Sequence, residues 1–561
     1  MNIDRKFALG VDFGTASVRT AVIRVKDGVE VSSATHIYRH GTEGCMFDPA
    51  DPQVARQHPD DYTEGLAETI RKSLSDASRI EGFSLNGVIG LGFDTTGTSV
   101  LPVLRDGTPL ALTEGFKSNL NANIWLWKDH SAWAEAEEIT RKARESHPEY
   151  IGMVGGTYSS EWYWSKVYHC LNVDKEVFSA ADTWMEVADW LLFTITGGTD
   201  TMKAIRGICA AGHKALYNAD WGGYPAQDFI ESVHPDLLKV RATLDATLVQ
   251  SVAVPAGMLS REWADRVGLP QPIIVATPAF DAHFGGIGAG IRPGMLVKTI
   301  GTSTCDLMVS PASSKAPKIS GMAGIVRDSI LPDYHGIEAG QSAVGDIFNW
   351  FVKCIRPGEM SYQQLSEAAR TLAPGESGLL ALDWHNGNRT ILVDQRLSGL
   401  IVGLTLQTSP AEIYRALIEA TAFGARVIHE QMEKYGLPIN EIVVCGGIPR
   451  KDTLLMQIYA DVFGKPLSIS RNAETCALGG AIAASVAAGA YPSFDEAIKR
   501  MTAVSDKIYR PIPENRKTYN ELYGLYRKTH DAFSIHGAGS VLSGIMKQLL
   551  SIKDNVRSRS P

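Results

Sequence analysis

Apolar residues in this chain gather in short runs, each ending in a turn rich in glycine, hydroxyls or acid. Phe7-Ala8-Leu9-Gly10-Val11 leads into Asp12-Phe13-Gly14-Thr15, and alternation resumes from Val18 to Val25, which predicts strand, turn, strand. Val88 to Phe93 is a second run and stops at Asp94-Thr95-Thr96-Gly97-Thr98; a third, Ile273 to Ala276, leads to Phe280-Asp281-Ala282-His283. Loops at strand ends are the usual place for a site in an α/β sheet.

The pattern then starts again. Leu296 to Ile300 runs into Gly301-Thr302-Ser303-Thr304-Cys305, and Leu307-Met308-Val309 follows, so both copies carry Gly-Thr at the turn. The break falls near Gly290 to Pro293. A pseudo-duplicated α/β architecture is expected, with one half over 1–290, a second over 291–540, and a flexible tail over 541–561 ending in Arg-Ser-Arg-Ser-Pro. One helix is marked out in the second half. Ser409-Pro410-Ala411-Glu412 supplies an N-cap, an N1 proline and a capping-box Glu, and Ile413, Leu417, Thr421, Gly424, Ile428 and Met432 recur at helical spacing.

Composition narrows the class. The chain has 561 residues, 44% hydrophobic and 21% charged, so a large core is affordable, and a net charge of -8 without Lys/Arg blocks argues against a nucleic-acid surface. The seven cysteines are scattered and never in CxxC spacing, so reduced thiols are expected rather than disulfides or a zinc site. The N-terminal stretch has no apolar run long enough for a signal peptide, and the Ala- and Gly-rich run from Leu478 to Tyr491 is too short for a membrane span. A cytoplasmic location is expected. Asn388-Arg389-Thr390 is a formal glycosylation sequon, read as chance.

The turns suggest phosphate chemistry. Glycine lets backbone N–H groups approach phosphate oxygens, Thr and Ser add donors, and a neighbouring carboxylate can hold Mg²⁺ through water. Asp12 to Thr15 has all these parts; Gly301 to Thr304 has the glycine and hydroxyls. Singly, each is also an ordinary hairpin turn. The third element adds weight: Ile442-Val443-Val444 ends in Cys445-Gly446-Gly447, followed by a helix with Leu454, Leu455, Ile458 and Val462, and a bare glycine pair there suits a base or ribose. There is no GxxxxGK[ST], and Gly285-Gly286-Ile287-Gly288-Ala289-Gly290 does not satisfy GxGxxG, so that run reads as close helix packing or a hinge. Asp281 is the candidate to take a hydroxyl proton, although a helix cap fits it equally well. Trp127 with Lys128, Lys214 and Glu338 are candidate polar ligands of a substrate, and each also fits a core-edge role.

Gly10-Val11-Asp12-Phe13-Gly14-Thr15, Gly301-Thr302-Ser303-Thr304 and Gly446-Gly447 together resemble the actin/hexokinase/heat-shock ATPase superfamily, and more closely the FGGY carbohydrate kinases. The narrower stretches are Leu126-Trp127-Lys128-Asp129-His130, Tyr158 to Trp162, Ala211-Gly212-His213-Lys214, Phe280 to His283, Glu338 to Ala343 and Asp383 to Arg389. The resemblance implies two ribonuclease-H-like α/β domains with an interdomain cleft. It implies ATP-dependent phosphorylation of a ketopentose, L-ribulose to L-ribulose 5-phosphate in arabinose catabolism, in a homodimer. D-Ribulose, ribitol or xylulose are the alternative substrates, and a chaperone-like or actin-like ATPase the alternative class. By residue, it implies Asp281 as base, Lys214 and Glu338 on the sugar, and Gly97 and Trp127 in the pocket. Asp12, Gly14, Thr15, Arg19 and Thr302 would serve Mg²⁺ and the phosphates, with Asp12 toward the metal. Gly340, Gly446 and Gly447 would line the nucleotide. Lys451 stands where other FGGY kinases often place Asn near the adenine.

Overall fold

The computed structural model describes residues 3–314, 316–355, 360–534 and 542–557, with side chains as far as residue 553. Two large sheets carry the fold. The first runs in the order Pro255–Met258, Ile274–Ala276, Val88–Thr95, Phe7–Phe13, Ser17–Arg24, Glu30–Ile37, with Ala279–Phe280 also paired to Val88–Thr95. The second runs Val504–Tyr509, Leu467–Ser470, Glu441–Cys445, Met295–Ile300, Thr304–Pro311, Tyr334–Ala339, Gly324–Arg327. Matched position by position, the directions agree as well: antiparallel, parallel, parallel, antiparallel, antiparallel. The repeat visible in the turns is therefore a repeat of topology. The central strands Phe7–Phe13 and Met295–Ile300 each end at one of the Gly-Thr turns.

The two halves are locked through a helix built largely of small residues. Thr475–Ala487, which contains most of the Ala- and Gly-rich run, packs on Phe7–Phe13, on Val88–Thr95 and on the helix Asp281–Gly288. Backbone meets backbone there: a Cβ on Gly10 would lie 1.7 Å from the Ala477 carbonyl oxygen, and one on Gly479 would lie 1.9 Å from that of Phe284. Gly285 to Gly288 thus serve close helix packing, one of the two roles expected of that run. Among the described residues, no helix is long and apolar enough to cross a membrane.

An inserted five-stranded sheet in the first half (Met46–Phe47, Ala55–Gln57, Ile124–Trp125, Val100–Val103, Thr183–Glu186) holds up one wall of the cleft. The buried Lys166 ammonium fixes that wall by donating to the carbonyls of Thr98 (2.8 Å) and Leu126 (2.7 Å), one on each side of the inserted strands. The marked helix forms as Pro410–Lys434 with both bonds of its capping box. All seven cysteines are free. Within the stretch expected as a tail, Ile545–Arg557 is a helix, with Met546 buried against the core and Lys547 reaching Asp394 at 2.7 Å. Residues 558–561 lie outside the described residues.

Candidate active site

A cleft of about 200 Å³ opens where the two sheets' turns face each other. Its walls include Thr15, Gly97, Trp127, Asp281, Glu338 and the segment Gly301 to Cys305. On the first-half side, Gly14 N–H bonds the Ser17 carbonyl (2.9 Å) and closes the turn, while Thr15 Oγ1 accepts the Trp127 indole N–H at 3.0 Å. On the second-half side, the Gly301 and Thr302 carbonyls accept the amides of Gly345 and Val344, which ties the turn to the start of helix Gly345–Trp350.

Asp281 occupies the first turn of Asp281–Gly288, with Phe280 as the N-cap, and its Oδ1 accepts the amide of Ala282 at 2.6 Å. Burial first, then the charge of Asp12, pushes its carboxyl up to about 7. Asp12 and Asp94 are register partners on adjacent parallel strands, so two carboxyls end side by side. Among the described residues, no amide, hydroxyl or basic group bonds either Asp94 oxygen. Burial and the neighbouring Asp12 and Asp281 charges raise its carboxyl well above the ordinary range, and burial raises Asp12 as well. Three carboxyls thus gather here, and the nearby Arg389 and Arg19 charges only partly offset the rise of Asp281 and Asp12.

The opposite corner is neutralised. Lys214, the last residue of helix Ile208–Lys214, places Nζ 2.8 Å from Glu338 Oε1. His283 Nε2 lies 3.2 Å from Glu338 Oε2, and the other nitrogen of that ring contacts Cys209 Sγ at 2.7 Å. Burial opposes ionisation of Glu338, but the Lys214 ammonium, the His283 hydrogen bond and the two nearby imidazoles together outweigh it and hold the carboxyl well below the ordinary range. Burial keeps His213, behind this pair, neutral. The arrangement presents fixed acceptors and donors beside a carboxylate poised to accept a proton.

Over residues 7–288 the sequence matches the N-terminal domain of the FGGY family of carbohydrate kinases, and over 296–488 its C-terminal domain. The chain belongs to the FGGY carbohydrate kinases. Its similarity to a ribulokinase of Halalkalibacterium halodurans is 39% identity over 567 residues, spanning 98% of each chain. A ribulokinase of Mycolicibacterium smegmatis is 39% identical over 573 residues, 99% of this chain and 98% of that one. Among solved structures, a ligand-bound xylulose kinase from Lactobacillus acidophilus shares the fold with a TM-score of 0.76 at 20% identity, covering 95% of this chain and 99% of that one. A Plasmodium falciparum glycerol kinase with ADP gives 0.73 at 16% identity, covering 93% and 98%.

In this FGGY kinase the structure brings together Thr15, Gly97, Trp127, Asp281, Thr302 and Glu338 on one cleft wall or another, with Lys214 directly behind Glu338. Other expected residues stand differently. Arg19 is paired with Glu474, across the two halves, and its Nε donates to Thr35 at 3.0 Å. Gly340 is not on the cleft wall: it is buried, with φ +158°, its N–H on Thr390 Oγ1 (2.9 Å), and a Cβ there would strike the Thr304 carbonyl at 2.0 Å. It therefore packs behind the second turn. Gly446 needs its φ of +101°, whereas a Cβ on Gly447 would meet nothing within 4 Å, leaving open space above that backbone. Lys451 is exposed at the end of the short helix Gly447–Lys451.

Two residues of the site carry no role in the sequence reading. Asp94 stands at the end of a recognised strand, and only its register with Asp12 reveals the pairing. Arg389 belongs to a recognised stretch, and only the folded loop turns it into the cleft.

Proposed function

We propose that this chain phosphorylates L-ribulose with ATP, giving L-ribulose 5-phosphate for L-arabinose catabolism. The observation that carries the reading is Asp281, set between two phosphate-type turns and beside the Glu338–Lys214 pair. The near-full-length similarity to proteins named ribulokinase supports the choice of sugar.

In this reading residues 1–290 supply the base and most of the sugar site, and 291–540 hold the nucleotide and lend Glu338 to the sugar. Glu338 and Lys214 bind the ketopentose hydroxyls, with Gly97 and Trp127 as walls. The sugar's terminal hydroxyl lies against Asp281. Its oxygen bonds to the γ-phosphorus, the bridging P–O bond breaks with its electron pair leaving on ADP, and the proton passes to the Asp281 carboxylate. A base near pKa 7 is better matched to that task than an ordinary aspartate. Backbone amides and hydroxyls of Gly14, Thr15 and Thr302 hold the phosphates, and Gly446 and Gly447 leave room for the nucleoside. The adjacent Asp12 and Asp94 carboxyls would suit Mg²⁺, with Asp12 toward the metal. When bound, Mg²⁺ would offset the charge of the polyphosphate.

A panel of pentuloses and pentitols in a coupled ADP-release assay tests this reading. L-Ribulose is expected to give the highest kcat/KM; a clear preference for D-ribulose, ribitol or xylulose would move the chain to another substrate, and ATP turnover indifferent to every sugar would reject the kinase reading.

A further inference from the structure

Arg389 is the one lysine or arginine among the described residues that line the cleft. Its hydrogen bond goes to a carbonyl rather than a carboxylate: Nη2 donates to Gln341 O at 3.1 Å. That same oxygen accepts the backbone amide of Thr304, also at 3.1 Å, so the guanidinium is tethered to the atom that holds the second phosphate turn. The tether is rigid. Gln341 is fixed by Nε2 on Asp383 (2.7 Å) and on the Thr421 carbonyl (2.8 Å), and by its amide on Thr304 Oγ1 (2.9 Å). Tyr526 in turn holds Asp383 at 2.7 Å.

The guanidinium is also under-used. Its Nε is buried with no hydrogen-bond partner among the described residues. Leaving a buried charged donor unpaired is costly unless something else completes it. A neutral ketopentose offers hydroxyls, which the Glu338–Lys214 pair already serves. A transferring phosphoryl group offers anionic oxygens next to the second turn, where a planar fork of N–H donors suits them best.

We propose that Arg389 is a catalytic residue that donates to the equatorial oxygens of the phosphoryl group as it passes from ATP to the sugar hydroxyl. The proposal rests on the kinase reading above. The covalent step is unchanged: the hydroxyl oxygen bonds to phosphorus, the bridging oxygen leaves with ADP, and Asp281 takes the proton. Arg389 adds charge stabilisation where the three equatorial oxygens spread negative charge, which binding of the ground state alone would not reward.

The test uses the full chain with Arg389→Ala and Arg389→Lys, on the sugar that the wild type prefers in the panel. For Arg389→Ala, kcat should fall by about 10³-fold or more, the range of an arginine acting on a transferring phosphoryl group. Ketopentose KM and the ATP dissociation constant should stay within about threefold, the signature of an interaction made only in the transition state. Arg389→Lys should lie between, and low-millimolar guanidinium should restore part of the Ala variant's rate. Slow phosphoryl transfer to water, read as ADP release without sugar, should fall in parallel; this arm keeps the test independent of which sugar is correct. Thermal melting checks the fold, and the Lys variant with guanidinium rescue keeps the test open if the Ala variant melts early. A raised ketopentose KM with intact kcat would make Arg389 a sugar ligand and overturn the proposal, as would unchanged kinetics.

Discussion

Lys214 and Glu338 meet at 2.8 Å although 124 positions separate them, one on a first-half helix and the other on a second-half strand. The contact joins the two halves at the point where the sugar is proposed to bind. A charged hydrogen bond is worth about 1.5–3 kcal/mol, so Lys214→Met should raise ketopentose KM by roughly tenfold or more. A double-mutant cycle with Glu338→Gln should give a stability coupling of about 1–3 kcal/mol. Steady-state kinetics and denaturant melts read both, and an unchanged KM would remove Lys214 from the sugar site.

Asp281 links activity to pH. Its carboxyl is raised to about 7, so the acid limb of kcat/KM should fall near that value, and Asp281→Asn should abolish transfer while ATP still binds. The stability effect has the opposite sense. Because the folded protein holds this proton more tightly than an unfolded chain with a pKa of about 4, stability is lost as pH rises from there toward 7. Ligand-free Asp281→Asn should therefore melt above the wild type at pH 8, with the gap closing toward pH 4. Equal melting temperatures at both extremes would contradict the raised carboxyl.

Asp94 should matter through the metal. With Asp12 beside it and, among the described residues, no hydrogen-bond partner for its oxygens, its replacement by a neutral amide removes the cost of burying a second carboxyl there. Asp94→Asn should stabilise the ligand-free protein and raise the Mg²⁺ concentration for half-maximal rate by about tenfold or more. Initial rates over a Mg²⁺ titration decide the matter, and an unmoved midpoint would place the metal elsewhere.

Two glycines should respond in opposite ways. A Cβ at Gly479 would lie 1.9 Å from the Phe284 carbonyl oxygen, so Gly479→Val should cost about 1–3 kcal/mol or more by forcing two helices apart. Gly447 faces open space, so Gly447→Val should fold normally and instead raise the KM for ATP. Melting curves set beside ATP titrations separate the two effects.

Much of this was legible in the chain. Short apolar runs ending at Asp12, Asp94, Gly301 and Gly446 named the central strands and the turns, because strand burial and turn geometry are local demands written within a few residues. The Ser409 to Glu412 capping box marked the start of Pro410–Lys434 for the same reason. Other relations are set by register, crossing angle and burial between distant segments. Pairing Asp12 with Asp94 needed the alignment of two parallel strands. Drawing Lys214 to Glu338 and hanging Arg389 on the carbonyl that holds Thr304 needed the two halves to dock, through backbone contacts that glycines such as Gly10 and Gly479 permit. The raised carboxyl of Asp281 also belongs to the tertiary level, since its first cause is burial and its second is the charge of a residue on another strand. Sequence determined the strands, the turns and the donors they carry; the tertiary structure decided which charges meet, because electrostatic neighbours are chosen by packing and not by order along the chain.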